Sequence, residues 1–206
     1  VILFSIAIVL AFSLCVAPIF AAPCDDLSAG TDFDIENDNN EIILCTGTYT
    51  GVAIANIPTS FTLDCNGSTL TEGVGVANSS GVKIQDCRFT TSDVGLTITD
   101  SADITLNSNT FENAATGASL QGVLRGSIRR NNFTSAAQGL AITDSMYLAI
   151  STHNRFENNK IGLLINNSVE SQTYKNIFIK SLGADAAADP SAEDATSVAS
   201  VSAKVI

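Results

Sequence analysis

Between residues 40 and 180, apolar and polar residues alternate in short runs such as GLTIT (Gly95–Thr99) and DITLN (Asp103–Asn107). A period of two puts Leu96, Ile98, Ile104 and Leu106 on one side of extended chain. No stretch keeps helical spacing for long, so the predicted elements are strands. Between the paired runs stands Asn78, Asp100, Gly122, Asp144 or Asn167. These residue types tolerate a left-handed backbone and so mark turns.

The pattern recurs. Phe89, Phe111, Phe133, Phe156 and Phe178 are 22, 22, 23 and 22 residues apart. Two positions before them stand Cys87, Asn109, Asn131, Asn154 and Asn176, and Gly75, Gly95, Gly117, Gly139 and Gly162 start the units. A fixed period in this range signals a repeat architecture. One unit reads as strand, turn, strand, Asn-x-Phe corner, then a short third strand or loop. Stacked at ~4.8 Å per coil, the units set like on like, with inward aliphatic and phenyl columns and an asparagine ladder. Asp100 and Asp144 fall in one column two coils apart, ~10 Å by the same spacing. That is near the upper limit for an inverting glycosidase pair. Every member of their column is a turn-former, however, and the column reads as turn chemistry.

The Gly start, the Asn/Asp-Ser turn and the Asn-x-Phe corner resemble the parallel β-helix repeats of the pectin-lyase-like superfamily, over about residues 40–180. FTLDCNGSTL (Phe61–Leu70) is similar to an early coil of that class. The resemblance implies an all-β protein, a right-handed parallel β-helix of about six to seven coils. The right-handed crossover preference points the same way. The superfamily includes lyases, hydrolases and non-catalytic surface proteins. Pectate lyases of this kind bind Ca2+ through clustered acids and use an Arg base, but no three acids converge here on one strand face. The hydrolase pattern of adjacent Asp pairs with a Gly-His is missing, and Asp25 and Asp26 precede the solenoid. No catalytic residue is carried over. No phosphate loop, Cys/His metal cluster or other cofactor motif is found, and no cofactor is expected.

The chain opens with VILFSIAIVLAFSLCVAPIFAAPC, uncharged before Asp25 and with small residues at Ala21 and Ala22. Residues 1–22 read as a signal peptide. Retained, this hydrophobic helix would be long enough to span a membrane, the only membrane link expected. Residues 23–40 read as an acidic cap, 41–182 as the β-helix, and 183–206 as a flexible Ala/Ser/Asp-rich tail. Export leaves Cys24, Cys45, Cys65 and Cys87, an even count that implies two disulfides. Cys65 lies 22 residues before Cys87 and Cys45 lies 20 before Cys65, as if continuing the Asn column. This favours Cys65–Cys87 with Cys24–Cys45; Cys45–Cys65 with Cys24–Cys87 stays open. Asn66, Asn78, Asn132 and Asn166 begin glycosylation sequons.

The formal net charge of -11 argues against nucleic acid as a partner. Beside the ladder the sign changes. Arg88, Arg130, Arg155 and Lys175, with His153 (the sole histidine), flank its positions, and Lys83 and Arg129 are close by. Such a stripe suits carboxylate or sulfate groups of an acidic polysaccharide. Outward rows read as Ala77, Thr97, Ser119, Ala141, Leu164 and as Thr99, Gln121, Thr143, Asn166. They are too broken for a regular threonine ice-binding face. The expectation is a secreted, monomeric β-helix module that binds glycan without catalysis. A polysaccharide lyase or hydrolase and a structural or ice-binding surface protein are the alternatives.

Overall fold

The computed structural model describes Cys24 and residues 33–36, 41–179 and 186–188. The segments 1–22 and 189–206 lie outside the described residues, so the segment read as a signal peptide is among those not described. The described chain is strand and turn throughout, wound as a right-handed parallel solenoid of about six turns.

β1 (Phe33–Glu36) and β2 (Glu41–Ile43) precede the first full coil. That coil holds β3 (Thr48–Ala55), β4 (Phe61–Asp64) and the start of β5 (Thr69–Ala77). The second holds the rest of β5, β6 (Val82–Gln85) and β7 (Arg88–Phe89). The third has β8 (Val94–Thr99), β9 (Ala102–Asn107) and β10 (Thr110–Glu112). The fourth has β11 (Thr116–Gln121), β12 (Leu124–Arg129) and β13 (Asn132–Thr134). The fifth has β14 (Gln138–Thr143), β15 (Met146–Ser151) and β16 (Arg155–Glu157), and the sixth β17 (Ile161–Asn166), β18 (Gln172–Tyr174) and β19 (Ile177–Ile179). β20 (Ala186–Ala188) pairs with β17 and β1 with β3, so strands occur within both segments read as cap and tail. Every pairing is parallel and links one coil to the next.

The predicted inward residues make the core: Leu96, Ile98, Ile104 and Leu106 are buried, at most 1 % exposed. The five phenyl rings form one file with centroids 4.6, 4.8, 4.9 and 4.8 Å apart, and planes within 10° of parallel. Leu70 and Tyr49 continue the file in the earlier coils. The asparagines form the expected ladder. Asn109 Nδ2 donates to Asn131 Oδ1 (3.1 Å), Asn131 Nδ2 to Asn154 Oδ1 (3.1 Å) and Asn154 Nδ2 to Asn176 Oδ1 (2.9 Å). A second ladder of serines runs along the first corner, where Ser79 N donates to Ser101 Oγ and Ser145 N to Ser168 Oγ. Corners of a solenoid leave backbone groups unpaired, and these inward polar side chains satisfy them inside the core.

Three details of the register differ from the sequence reading. Val74 pairs with Leu96, so Gly73, not Gly75, heads the second coil. Gly75 pairs with Thr97 and Ala77 with Thr99, which moves Ala77 to the other outward row. Thr69 pairs with Arg88, so Ser68 lies level with Cys87, and Gly47 N donates to Ser68 Oγ. Cys65 and Cys45 therefore stand beside the ladder's line. The disulfides are nonetheless Cys24–Cys45 and Cys65–Cys87, each with Cα atoms 4.8 Å apart. Cys87 rejoins the ladder, its N–H donating to Asn109 Oδ1 at 3.1 Å.

The glycine column follows from the phenyl file. A Cβ on Gly117 would lie 2.5 Å from the Gly139 carbonyl oxygen and 2.8 Å from Phe133 Cδ1. Neither backbone nor a ring locked in a stack can retreat. Gly117→Ala is expected to destabilise the fold by about 2–3 kcal/mol, as overpacking does, and a denaturant midpoint shift measures it.

Candidate functional site

Each coil turns a corner between its second and third strands, outside the asparagine ladder. One residue per coil takes a left-handed backbone there: Asp86 (φ 52°), Ser108 (58°), Arg130 (56°), His153 (67°) and Lys175 (56°). Asp suits that region, whereas long or branched residues are held in it at a cost of roughly 1 kcal/mol or more each. Hydrogen bonds tie the corner together: Arg130 N donates to Thr152 O (3.1 Å) and His153 N to Lys175 O (2.9 Å). Phe133 to Phe156 spans 23 residues, and the register shows why. Ile128 pairs with Ile150, but Asn132 pairs with Arg155. The extra residue is in this corner, where Thr152 (φ 56°) is also left-handed. A β-branched residue in that region is an outlier, and such outliers gather at functional positions.

The predicted basic residues divide into three groups. Arg88 is paired with Glu112 (2.7 Å) and Arg155 with Glu157 (2.7 Å), on the outer row of the third strands. Lys83 is on the second sheet between Thr62 and Thr105, half-buried and two coils from Arg130. Arg129, Arg130, His153 and Lys175 are exposed, come together over coils four to six, and have no carboxylate partner among the described residues. Sequence reading missed Tyr174, 45 % exposed beside Lys175. It pairs with Ser151, which in turn follows Ile150 as Arg129 follows Ile128. Arg129 and Tyr174 thus flank Ser151, itself only 6 % exposed. Residues 41–179 contain eight Lys and Arg against eleven Asp and Glu, so most of the net negative charge lies outside these coils.

The same corner is acidic nearer the N-terminus. Burial, then the nearby Asp64, raise the Asp86 carboxyl above its ordinary value, against an opposing effect of Lys83. A raised carboxyl pKa contributes stability below the unfolded value, lost as pH climbs through the folded one. Asp86→Asn, which keeps the left-handed turn, is therefore expected to stabilise at pH 7 by at most about 0.5 kcal/mol after solvent screening, with no gain below about pH 3. Thermal melts at the two pH values check this.

Asp100 and Asp144 fall where the turn reading puts them, in a left-handed column running from Asn56 to Asn167. The side-chain amide of Asn167 donates to Asp144 Oδ1. Of the sequon asparagines, Asn66 and Asn78 are in exposed turns, while Asn132 and Asn166 are half-buried in strands. At the far end of the second strands Leu124 and Met146 pair in register, 38 % exposed, next to Tyr147 and an exposed Arg125–Asp103 pair.

Donors for a soft or borderline metal are scattered. His153, the sole histidine, stands between Arg130 and Lys175 on the adjoining coils. Met146, the sole methionine, begins the strand whose end precedes His153 by two residues, ~15 Å or more away at the rise of a strand. Cys24, Cys45, Cys65 and Cys87 are oxidised in pairs. Among the described residues no three His, Cys, Asp or Glu side chains gather as a ligand set.

No curated protein and no solved structure matches the chain. A protein-family model does, that of NosD, described as a periplasmic copper-binding protein, and it aligns with residues 27–189. The alignment starts before β1, ends after β20 and takes in every described strand. By that match the chain belongs to the NosD family.

Proposed function

We propose that this protein is a non-catalytic β-helix module, exported to the periplasm or beyond, that binds polysaccharide at the corner of coils four to six. The observation that carries the reading is the corner itself. Arg130, His153 and Lys175 stand on successive coils in the left-handed backbone that turns this corner, with an extra residue inserted among them and an exposed tyrosine alongside. Flat aromatic faces and fixed N–H donors are what sugar rings and their anionic substituents require. Two disulfides fit an oxidising compartment, as does the periplasmic description of the family. On this reading residues 1–22 serve as the export signal.

The copper in the family's description finds no gathered set of donors among the described residues. Thiolates, thioethers and imidazoles hold copper. Here the four described cysteines are oxidised, and the histidine and methionine are apart, the histidine between two cations.

Binding to immobilised glycans, with and without salt, tests the proposal. Arg130→Gln with Lys175→Gln is expected to lower affinity about tenfold and remove most of the salt dependence. Arg88→Gln with Glu112→Gln, which removes a neutral pair, is expected to change it less than about twofold. Equal retention by all three proteins, or no binding to any glycan, contradicts the reading.

A further inference from the structure

Charge at this corner skips a coil. Coil four brings Arg129 and Arg130, and coil six brings Lys175 with Tyr174 beside it. Coil five, between them, brings Ser151, Thr152 and His153, none of which carries a formal charge at pH 7. Arg155, also on coil five, is neutralised by Glu157. Stacking holds the three coils in register, since Ser151 pairs with Tyr174 and Arg130 N donates to Thr152 O. Arg130 and Lys175 therefore stand two coil steps apart, steps that measure 4.9 and 4.8 Å at the phenyl file. In an extended β-1,4-linked pyranose chain each sugar is turned over relative to the one before it. A substituent returns to the same side only at every second sugar, after an advance close to two coil steps. We propose that the ligand is a β-1,4-linked glycan lying along the solenoid axis, and that Arg130 and Lys175 read the anionic groups of alternate sugars. This inference rests on the function proposed above and adds the linkage, the orientation and the spacing of charge.

The sugar between the two anions turns its own substituent away from the protein, which suits an uncharged coil beneath it. Coil five instead carries the extra residue. Thr152 and His153 are both left-handed there (φ 56° and 67°), where coils four and six have one such residue each, Arg130 and Lys175. A hydroxyl and an imidazole can hydrogen-bond sugar hydroxyls without selecting for charge. At either side of them the guanidinium meets one anion as a two-pronged donor and the ammonium meets the other as a point charge. Two coils before Arg130, the same corner position is Asp86, with Asp64 nearby, and it repels an anion. The pair over coils four and six is the one that accepts, and a three-sugar probe spans it without reaching Asp86.

Calorimetry on the whole chain at pH 7 tests this with four β-1,4-linked glucose trisaccharides. One is unmodified; the others are oxidised to the C6 carboxylate at sugars one and three, at sugars one and two, or at all three. The two doubly charged ligands have the same charge and differ only in whether their carboxylates face one side. The one-and-three ligand is expected to bind about tenfold more tightly than the one-and-two ligand, and the fully oxidised one within about twofold of it. Lys175→Gln and, separately, Arg130→Gln are each expected to cut that preference to less than about twofold, whereas Arg88→Gln with Glu112→Gln keeps it. Equal binding of the two doubly charged ligands, both tighter than the unmodified one, overturns the alternate-sugar spacing and leaves anionic glycan binding in place. Equal binding of all four also overturns it, and leaves glycan binding without a role for charge. If none of the four binds, this inference falls, and the immobilised-glycan experiment alone decides the wider reading.

Discussion

Phe133→Ala is expected to cost about 5 kcal/mol, measured as the loss of unfolding free energy in urea. Phe133 is fully buried and has a parallel ring on each side, Phe111 at 4.8 Å and Phe156 at 4.9 Å. Truncating a buried phenylalanine costs roughly 3–5 kcal/mol in lost transfer energy and cavity, and aromatic contacts add about 0.5–1.5 kcal/mol each. The neighbours cannot close the gap, because each ring is fixed by a backbone that repeats at the coil step. Phe133→Leu should cost far less, about 1–2 kcal/mol, since Leu70 already occupies the same file in the first coil. In a solenoid each coil contacts only its neighbours. The damage should therefore emerge in coils three to five by amide exchange, while the first coils keep the Cys65–Cys87 staple. A loss under about 1.5 kcal/mol for the alanine variant would mean that the file adds little beyond simple burial.

Asn131→Ala is expected to cost about 4 kcal/mol, nearly as much, for a different reason. Asn131 Oδ1 accepts from Asn109 N (2.9 Å) and Asn109 Nδ2 (3.1 Å), and Asn131 Nδ2 donates to Leu106 O (3.1 Å). Asn109 and Asn131 are each 1 % exposed, so water cannot replace these bonds. Each buried group left without a partner costs about 1–3 kcal/mol. Here the Asn109 N–H is orphaned, the Leu106 carbonyl loses the side-chain donor, and a small void is added. Asn132→Ala, one residue along and facing outward, should stay within about 0.5 kcal/mol of wild type. Chemical denaturation of the pair separates ladder from composition. Equal midpoints for the two variants would show that the ladder's hydrogen bonds contribute nothing.

Much of this architecture is legible because a solenoid writes its register into the chain. Phe89 and Phe111 are 22 residues apart in sequence and stacked in space, and the same count holds along the file apart from one step. That step, the 23 residues to Phe156, holds the inserted Thr152. The pattern misleads where two residues compete for one place. Gly73 and Gly75 both precede valine in β5, and alternation alone does not choose between them; counting 22 back from Gly95 does. The spacing of Cys65 matches the ladder, but Asn66 and Gly67 are both left-handed after it, so the first coil needs more chain at that corner than the second. Ser68 takes the rung instead.

The site is less legible than the fold. The positions of the cations can be counted, but not their partners. Arg88 is in register with Thr110, and its guanidinium reaches past it to Glu112, 24 residues away in sequence. Arg155 turns along its own strand to Glu157. No single-chain pattern separates these from Arg130, which has no carboxylate partner among the described residues. Tyr174 escapes notice because β18 is only three residues long and its inward residue is Thr173, so the sequence shows no apolar position there to set the register. Its neighbourhood with Arg129 exists only through two coils of stacking.

The central claim is that side chains one period apart lie on top of one another. NMR on protein labelled only at phenylalanine tests it most directly. The account predicts ring-to-ring NOEs between Phe111 and Phe133 and between Phe133 and Phe156, at centroid separations of 4.8 and 4.9 Å, and none between Phe111 and Phe156, which are two coils apart. Absence of the neighbouring contacts, or contacts that skip a coil, would contradict the register and with it the basic patch at the corner of coils four to six.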